Sequence, residues 1–183
     1  MTTTLDLTGR ESIFSSQSPG GIGAEIGVDW GDFSRDIMRL AKPRLMYLVD
    51  CWEEQSVEVY GHDPANSQHD IKYWQCLQRY TTDERFKMVK SYSPKVAEVF
   101  PDEYFDWLYI DANHLQAYQD CCAWWPKVKR GGWMLGHDYV TGGVGDYITT
   151  KDDVDRFAAE RILTVLVTID EGTVYKNWCI YKE

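Results

Sequence analysis

The sequence predicts an α/β fold with a mostly parallel sheet of seven strands and helices on both faces. Two observations carry this prediction. Short apolar runs recur along the chain, most of them bounded by Gly, Asp or Ser, and stretches with helical spacing separate the earlier ones. Alternation of strand and helix favours right-handed crossovers, which produce parallel strands. The seven predicted strands are Ala24–Val28, Leu45–Val49, Phe86–Val89, Trp107–Ile110, Trp133–Leu135, Ile162–Val167 and Trp178–Tyr181.

One domain is expected, because 183 residues with 44% hydrophobic content suffice for one core and are few for two. Residues 1–22, which include a Thr- and Ser-rich start, show no sustained apolar period and are predicted to form a loose arm or a short helix. The domain proper is expected over residues 23–183. Its first helix carries the stripe Phe33, Ile37 and Leu40, with Asp32 or Ser34 as the candidate cap.

Two later helices complete the predicted fold. The first carries Leu115, Tyr118, Cys122 and Trp125 on one face, and its end is placed at residues 127–132, where basic residues precede two glycines. The last begins near Thr149 or Thr150 and buries Val154, Phe157 and Ala158.

The charge balance excludes several classes of partner. Nineteen Lys and Arg against 29 Asp and Glu give a formal charge of −10, which argues against binding to nucleic acid or to an anionic membrane. The apolar runs are too short to span a membrane, and the start of the chain resembles no leader. We therefore expect a cytoplasmic protein whose partner is a small molecule. Five cysteines without a C-x-x-C pair predict buried, reduced thiols.

A glycine-rich turn follows the first predicted strand. In the segment Gly23–Ser34, Gly27 and Gly31 allow a ligand to approach the backbone at the start of a helix. Asp29 and Asp32 stand where a G-x-G-x-x-G fingerprint needs glycine, so a dinucleotide diphosphate would face two carboxylates. An adenosine ligand with a cationic amine fits better, because Glu25 could hold the amine.

The second predicted strand ends in a carboxylate. Asp50 would meet the two ribose hydroxyls of an adenosine at this edge of the sheet. A solvated acidic strand end is the simpler interpretation of Asp50 taken alone. Taken together, the glycine turn and the acid that follows it along the chain narrow the choice of ligand.

These residues resemble the class I S-adenosylmethionine-dependent methyltransferases, in which an acid precedes spaced glycines and a second acid ends strand two. The segment Phe105–His114 is similar to the fourth-strand motif of that class, and Trp125–Tyr139 looks like its helix, double glycine and fifth strand. The likeness covers about Gly23 to Phe157 and looks closest to the small metal-dependent O-methyltransferases, including those that act on macrolide sugars. It implies a Rossmann-like sheet with an antiparallel last strand.

The resemblance also implies a set of site residues. S-adenosylmethionine would contact residues at the ends of successive strands, and the acceptor hydroxyl would be activated by a divalent metal such as Mg or Mn. The cofactor residues implied are Glu25, Gly27, Gly31, Asp50, Cys51, Ser91, Tyr92 and Asp111. The metal ligands implied are Asp111, His137 and Asp138. Since His137 and Tyr139 depart from the acidic and Asn positions of the catechol-type enzymes, a borderline metal such as Mn, Fe or Zn, or a metal-free site, stays open.

Asp111 and His114 are the catalytic residues expected from this resemblance. The histidine that matches His114 in the macrolide-sugar enzymes is regarded as the general base, and an imidazole titrates near neutrality. An ordinary hydrogen bond at a helix start is the alternative for His114. For His137, the alternative is to orient Asp138 or the substrate.

Two other functions stay open on the sequence alone. One is a nicotinamide-binding oxidoreductase, which Asp29 and Asp32 disfavour; the other is a non-catalytic binding protein with a methyltransferase fold. The Cys51–Asp70 connection, which holds His62-Asp63 and His69-Asp70, is predicted to be a lid. Because little else could cover an acceptor, we also expect a homodimer.

Overall fold

The computed structural model describes residues 2–15, 19–57, 66–142, 148–169 and 174–183. Within them lies one eight-stranded sheet in the order β1-β7-β8-β6-β5-β2-β3-β4. The strands are β1 (Thr2–Thr8), β2 (Ile22–Ile26), β3 (Leu45–Asp50), β4 (Phe86–Lys90), β5 (Phe105–Ile110), β6 (Val128–Gly136), β7 (Val165–Ile169) and β8 (Trp178–Tyr181). A strand lies at each of the seven predicted positions, but the sixth begins at Val165 and not at Ile162, because Ile162 caps the preceding helix. Strand β8 runs antiparallel to both of its neighbours, while every other pairing is parallel.

Helices cover both faces of this sheet. The α-helices are α1 (Gly9–Ser15), α2 (Asp32–Ala41), α3 (His69–Tyr80), α4 (Ser93–Val96), α5 (Ala117–Trp124) and α6 (Thr150–Arg161), and short 3₁₀ turns lie at Ala97–Val99 and Trp125–Lys127. Successive residues of β5 belong to opposite cores, because side chains alternate along a strand. Trp107 packs with α1, α2 and α3, and Leu108 packs with α5 and α6. No helix in the described part of the chain has the length and apolar character of a membrane span.

The first 22 residues correct the expectation of a loose arm. The short helix is present as α1, but an unpredicted strand, β1, precedes it and pairs in parallel with β7. Phe14 of α1 is fully buried, and its ring centroid lies 5.4 Å from that of Trp107 and 5.3 Å from that of Tyr109. The edge strand has only two apolar residues, Leu5 and Leu7, and the helix after it has seven residues, so neither is long enough to produce a sustained apolar period.

Three local predictions also change. Ser34 is buried against Glu25 instead of capping α2, which begins after Gly31. The helix expected to end at residues 127–132 ends at Trp124, and Gly132 lies inside β6, where a Cβ would be 2.7 Å from the carbonyl oxygen of Asp106. That close approach of two backbones, rather than a helix end, explains the glycine. In α5 the buried face is Ala117, Asp120, Cys121 and Trp124.

The connection after β3 is described only in part. His62 and Asp63 lie outside the described residues, and His69 is the first residue of α3. The lid therefore stays a prediction. The five cysteines are all free: Cys76, Cys121 and Cys179 are buried, and Cys51 and Cys122 are half-buried.

Candidate active site

A cavity of about 340 Å³ opens at the carboxyl ends of β2, β3 and β5. Gly27, Asp50 and Asp111, which follow or end these three strands, all line it. Parallel strands bring their carboxyl ends to one edge of the sheet, so residues far apart in the chain meet here. This is the position that the sequence predicts for a ligand.

The two glycines of the turn, Gly27 and Gly31, have different structural roles. Gly27 has φ of 89° and lines the cavity, and a Cβ on it would lie 2.1 Å from the carbonyl oxygen of Asp111. Gly31 has φ of 71° and lies outside the described cavity lining; a Cβ there would be 2.9 Å from both Cys76 Sγ and Tyr80 Cε2. Gly27 thus permits the turn to pack on the strand end beside it, whereas Gly31 permits α2 to pack on α3.

Glu25 is a buried carboxyl group in the wall of the cavity. Its side chain is 1% exposed and accepts a hydrogen bond from the Ser34 hydroxyl. Burial raises the pKa of Glu25 to about 8, and the hydrogen bond from Ser34 and the charge of Arg10 only partly oppose this. Glu25 is therefore largely protonated at neutral pH.

Asp50 organises the glycine turn. Its Oδ2 accepts hydrogen bonds from the backbone N–H groups of Val28 and Asp29, at 2.8 and 2.9 Å, and its Oδ1 accepts one from Trp52 N at 2.8 Å. A carboxylate has about four lone-pair positions, so roughly one stays available for a ligand hydroxyl. Cys51 also lines the cavity, and burial raises the pKa of its thiol.

The segment after β4 contributes polar and aromatic groups. Tyr92 and Ser93 line the cavity, whereas Ser91 lies outside the described lining and donates its backbone N–H to Asp50 O at 2.9 Å. The Ser93 hydroxyl donates to Asp120 at 2.5 Å and accepts from Trp124 Nε1 at 3.0 Å. Burial raises the pKa of Asp120 to about 7.

A second group of side chains surrounds Asp138, after β6. His114 Nε2 lies 3.0 Å from Asp138 Oδ2 and 3.8 Å from Asp111 Oδ1. His137 Nδ1 lies 2.7 Å from Asp138 Oδ1 and 4.0 Å from Asp111 Oδ1. One ligand atom from each of Asp111, His114 and Asp138 lies within 4.8 Å of the others, which is the arrangement of a candidate metal centre. The structure thus brings His114 to the two carboxylates as well as His137, which the sequence had placed there.

Protonation in this group follows from its contacts. Burial alone would lower the pKa of His114, but hydrogen bonds to Asp111 and Asp138 outweigh it and raise the pKa to about 10. Burial alone would raise the pKa of Asp138, yet the bonds from His114 and His137 hold it well below its usual range. Without a cation the centre is therefore an imidazolium between two carboxylates.

Arg10 is a site residue that the sequence did not reveal. Its guanidinium forms an ion pair with Asp111, donates through Nε to the Tyr109 hydroxyl at 2.7 Å and lies 4.0 Å from the centroid of the Phe33 ring. Burial would lower the pKa of Arg10, but the Asp111 charge outweighs it and the pKa is raised. Arg10 lies in the segment that was expected to be a loose arm, and no local sequence pattern indicated that it belongs to the site.

Three polar residues of the loop after β5 and of α5 were also missed. Asn113, Gln116 and Asp120 line the cavity. Asp120 could have been found, because helical spacing from Ala117 and Trp124 places it on the buried face of α5. Asn113 and Gln116 carry no such signal.

The fold is the Rossmann-like fold of methyltransferase domains. The chain is a member of the family described as the methyltransferase domain, whose model matches residues 24–139. No curated protein matches the chain by sequence.

Solved structures share the fold at low identity. Precorrin-6y C5,15-methyltransferase from Geobacter metallireducens has a TM-score of 0.66 at 12% identity, with 94% of this chain and 85% of that chain covered. A Streptococcus mutans protein in complex with SAH has a TM-score of 0.64 at 14% identity, with 93% and 94% covered. Spermidine synthase from Thermotoga maritima has a TM-score of 0.62 at 15% identity, with 93% and 55% covered. Such identities show a common fold alone, so the ligand and the reaction are argued from the site.

Proposed function

We propose that this protein transfers a methyl group from S-adenosylmethionine to the hydroxyl oxygen of a small acceptor. The proposal rests on the charged and acidic side chains that line the cavity at the carboxyl ends of β2, β3 and β5. Among the described residues that line it, seven carry carboxyl groups, whereas Arg10 is the one lysine or arginine. These seven are Glu25, Asp29, Asp32, Asp50, Glu53, Asp111 and Asp120. Asp29, Asp32 and Asp111 are ion-paired with Lys72, Arg79 and Arg10, and burial raises the pKa of Glu25 and Asp120. The wall therefore offers a sulfonium and an ammonium group many oxygen acceptors, whereas Arg10 is the one lysine or arginine among the described lining residues that could face a diphosphate.

The cofactor is held by groups that the geometry brings together. Glu25, once ionised, faces the ammonium group, and the remaining lone pair of Asp50 accepts from a ribose hydroxyl. Tyr92 offers a ring for stacking on adenine, while Ser93 and Asp120 offer hydrogen-bonding groups. Gly27 keeps the floor of the turn free of side-chain atoms.

The bond changes are those of one in-line displacement. Bound S-adenosylmethionine supplies an activated methyl group, whose C–S bond breaks as the O–C bond forms, and the sulfur retains the electron pair. The acceptor hydroxyl loses its proton to a base of the protein or to solvent. The protein's contribution is to exclude water and to align oxygen, methyl carbon and sulfur.

The group around Asp138 fits a divalent cation. Asp111, His114 and Asp138 would hold it, and a cation there would supply stabilisation of negative charge on the acceptor oxygen. His137 then orients Asp138 through the 2.7 Å contact. Nitrogen and oxygen ligands together favour a metal such as Mn, Fe or Zn over Mg.

A nicotinamide oxidoreductase is the second candidate, and ligand binding separates the two. The full chain is titrated with S-adenosylhomocysteine, S-adenosylmethionine and NAD⁺ by calorimetry. We expect the two sulfur compounds to bind and NAD⁺ not to bind. Binding of NAD⁺ without binding of S-adenosylhomocysteine would refute the proposal. Incubation with methyl-labelled S-adenosylmethionine and a panel of sugars and phenols then separates an enzyme from a non-catalytic binding protein.

A further inference from the structure

A second, smaller cavity of about 200 Å³ lies beside the first. It is bounded by the start of α1, the residue after β6, the end of β7 and the segment before β8. Arg10 lines both cavities, and its guanidinium forms an ion pair with Asp111, which lines the first. His137 also lines the second cavity, and its contact with Asp138 connects that cavity to the candidate metal centre.

Among the described lining residues, the second cavity has cationic side chains where the first has mainly carboxyl groups. Arg10 and Lys176 line it, and none of its described lining residues carries a carboxyl group. Within the described chain, Lys176 makes no salt bridge, and its backbone is fixed because its carbonyl accepts a hydrogen bond from Tyr139 N at 3.0 Å. The hydrogen bonds of Arg10 to Tyr109 and Asp111 use only part of its guanidinium donors. Two cations in one pocket are unusual in a chain with a formal charge of −10, because acidic side chains outnumber basic ones.

The same cavity holds a buried polar atom with no hydrogen-bonding partner in the described structure. Asn177 is 3% exposed, and its side-chain oxygen Oδ1 accepts no hydrogen bond there. Its backbone is nevertheless well anchored, since Asn177 N donates to Thr168 Oγ1 at 3.1 Å and Thr168 N donates to Asn177 O at 3.0 Å. A buried acceptor without a donor costs stability, and a ligand hydroxyl would remove that cost.

We propose that the second cavity binds the methyl acceptor and that this acceptor is a small hydroxylated anion carrying a carboxylate or a phosphate group. Lys176 and Arg10 bind the anionic group, and Asn177 accepts from a hydroxyl. The inference rests on the proposed function, because it gives the substrate class of the same transfer reaction. In this arrangement the cationic cofactor binds in the first cavity and the anionic acceptor binds in the second. The side chains of each cavity disfavour the ligand of the other.

Matched pairs of ligands test this inference. The full chain, saturated with S-adenosylhomocysteine, is titrated with 4-hydroxybenzoate against methyl 4-hydroxybenzoate and with glucose 6-phosphate against glucose. Within each pair only the anionic group changes. We expect the anionic member of at least one pair to bind about tenfold more tightly or better. The pair that discriminates identifies a carboxylate or a phosphate acceptor.

Three variants test whether the cavity lined by Lys176 binds the anionic group. Lys176→Gln should lose about tenfold in affinity for the anionic probe, Lys176→Arg should retain most of it, and Lys87→Gln, on exposed edge strand β4, should change nothing. Normal affinity for S-adenosylhomocysteine confirms that each variant is folded. If that compound binds but no pair discriminates, or if Lys176→Gln binds the anion normally, the inference is overturned and the proposed function stands. If S-adenosylhomocysteine does not bind to the wild-type chain, both are overturned.

Discussion

His114 Nε2 lies 3.0 Å from Asp138 Oδ2, and this contact joins the loop after β5 to the residue that follows β6. Asp138 has φ of 51°, a conformation that few residues other than Gly, Asn and Asp adopt. The left-handed backbone and the two histidine contacts hold its carboxylate in one place. Such prearrangement is what a cation site requires.

The first prediction concerns metal binding. Asp138→Asn should weaken binding of Mn²⁺ at least about tenfold, because it removes a negative ligand from the group formed with Asp111 and His114. Affinity for S-adenosylhomocysteine should stay the same. Calorimetric titration with Mn²⁺ measures the effect, and Asp102→Asn, at an exposed carboxylate paired with Lys127, is the matched control. Equal Mn²⁺ affinity in wild type and Asp138→Asn would remove the metal from the proposal.

The second prediction concerns Asp50. Asp50→Ala leaves the N–H groups of Val28, Asp29 and Trp52 without their acceptor. Val28 and Trp52 are buried, and each lost partner of a buried donor costs about 1–3 kcal/mol, whereas water can replace the acceptor at exposed Asp29. The free energy of unfolding and the affinity for S-adenosylhomocysteine should therefore fall together, the affinity by about tenfold or more. Denaturant melts and calorimetry measure the two effects. Loss of stability with wild-type affinity would limit Asp50 to a structural role.

A third prediction follows from the raised pKa of Glu25. Below pH 8 the free protein holds a proton on this carboxyl group, and binding of an ammonium group requires its release. Binding of S-adenosylhomocysteine at pH 7 should thus release about one proton. Calorimetry in buffers of different ionisation enthalpy detects it, and Glu25→Gln should abolish the release. A wild-type binding enthalpy that is the same in every buffer would contradict this role.

The same carboxyl group sets a pH dependence of stability. Because the pKa of Glu25 is higher in the folded chain than its ordinary value, the folded state binds more protons between those two pKa values. The stabilising contribution is complete at low pH and is lost as the pH rises to about 8. The free energy of unfolding should fall over that range, and it should fall less in Glu25→Gln. A steeper fall in the variant would contradict the assignment.

The fifth prediction separates backbone strain from close packing. Gly20 and Gly27 have nearly equal φ values of 86° and 89°, but a Cβ on Gly20 meets nothing within 4 Å, whereas one on Gly27 lies 2.1 Å from Asp111 O. Gly20→Ala should cost about 1–2 kcal/mol, the usual cost of this conformation for alanine. Gly27→Ala should cost clearly more and should also weaken S-adenosylhomocysteine binding. Equal unfolding free energies for the two variants would show that the contact can relax.

The sequence by itself determined seven of the eight strands and the carboxyl edge of the sheet. Seven apolar runs, separated in the first part by helical stripes, leave few topologies open, since parallel crossovers are right-handed. The acid that ends β3 and the glycine turn after β2 could be placed at the same edge for that reason. Glu25, Gly27, Asp50 and Asp111 accordingly lie around one cavity.

Only the tertiary structure decided which side chains face one another across that edge. Local pattern did not show that Arg10 reaches Asp111, because their contact depends on packing of α1 that a seven-residue helix does not announce. Pattern also could not choose between His114 and His137, since each follows a strand and their side-chain directions depend on the loop backbones. The tertiary structure places both imidazoles against Asp138, at 3.8 and 4.0 Å from Asp111.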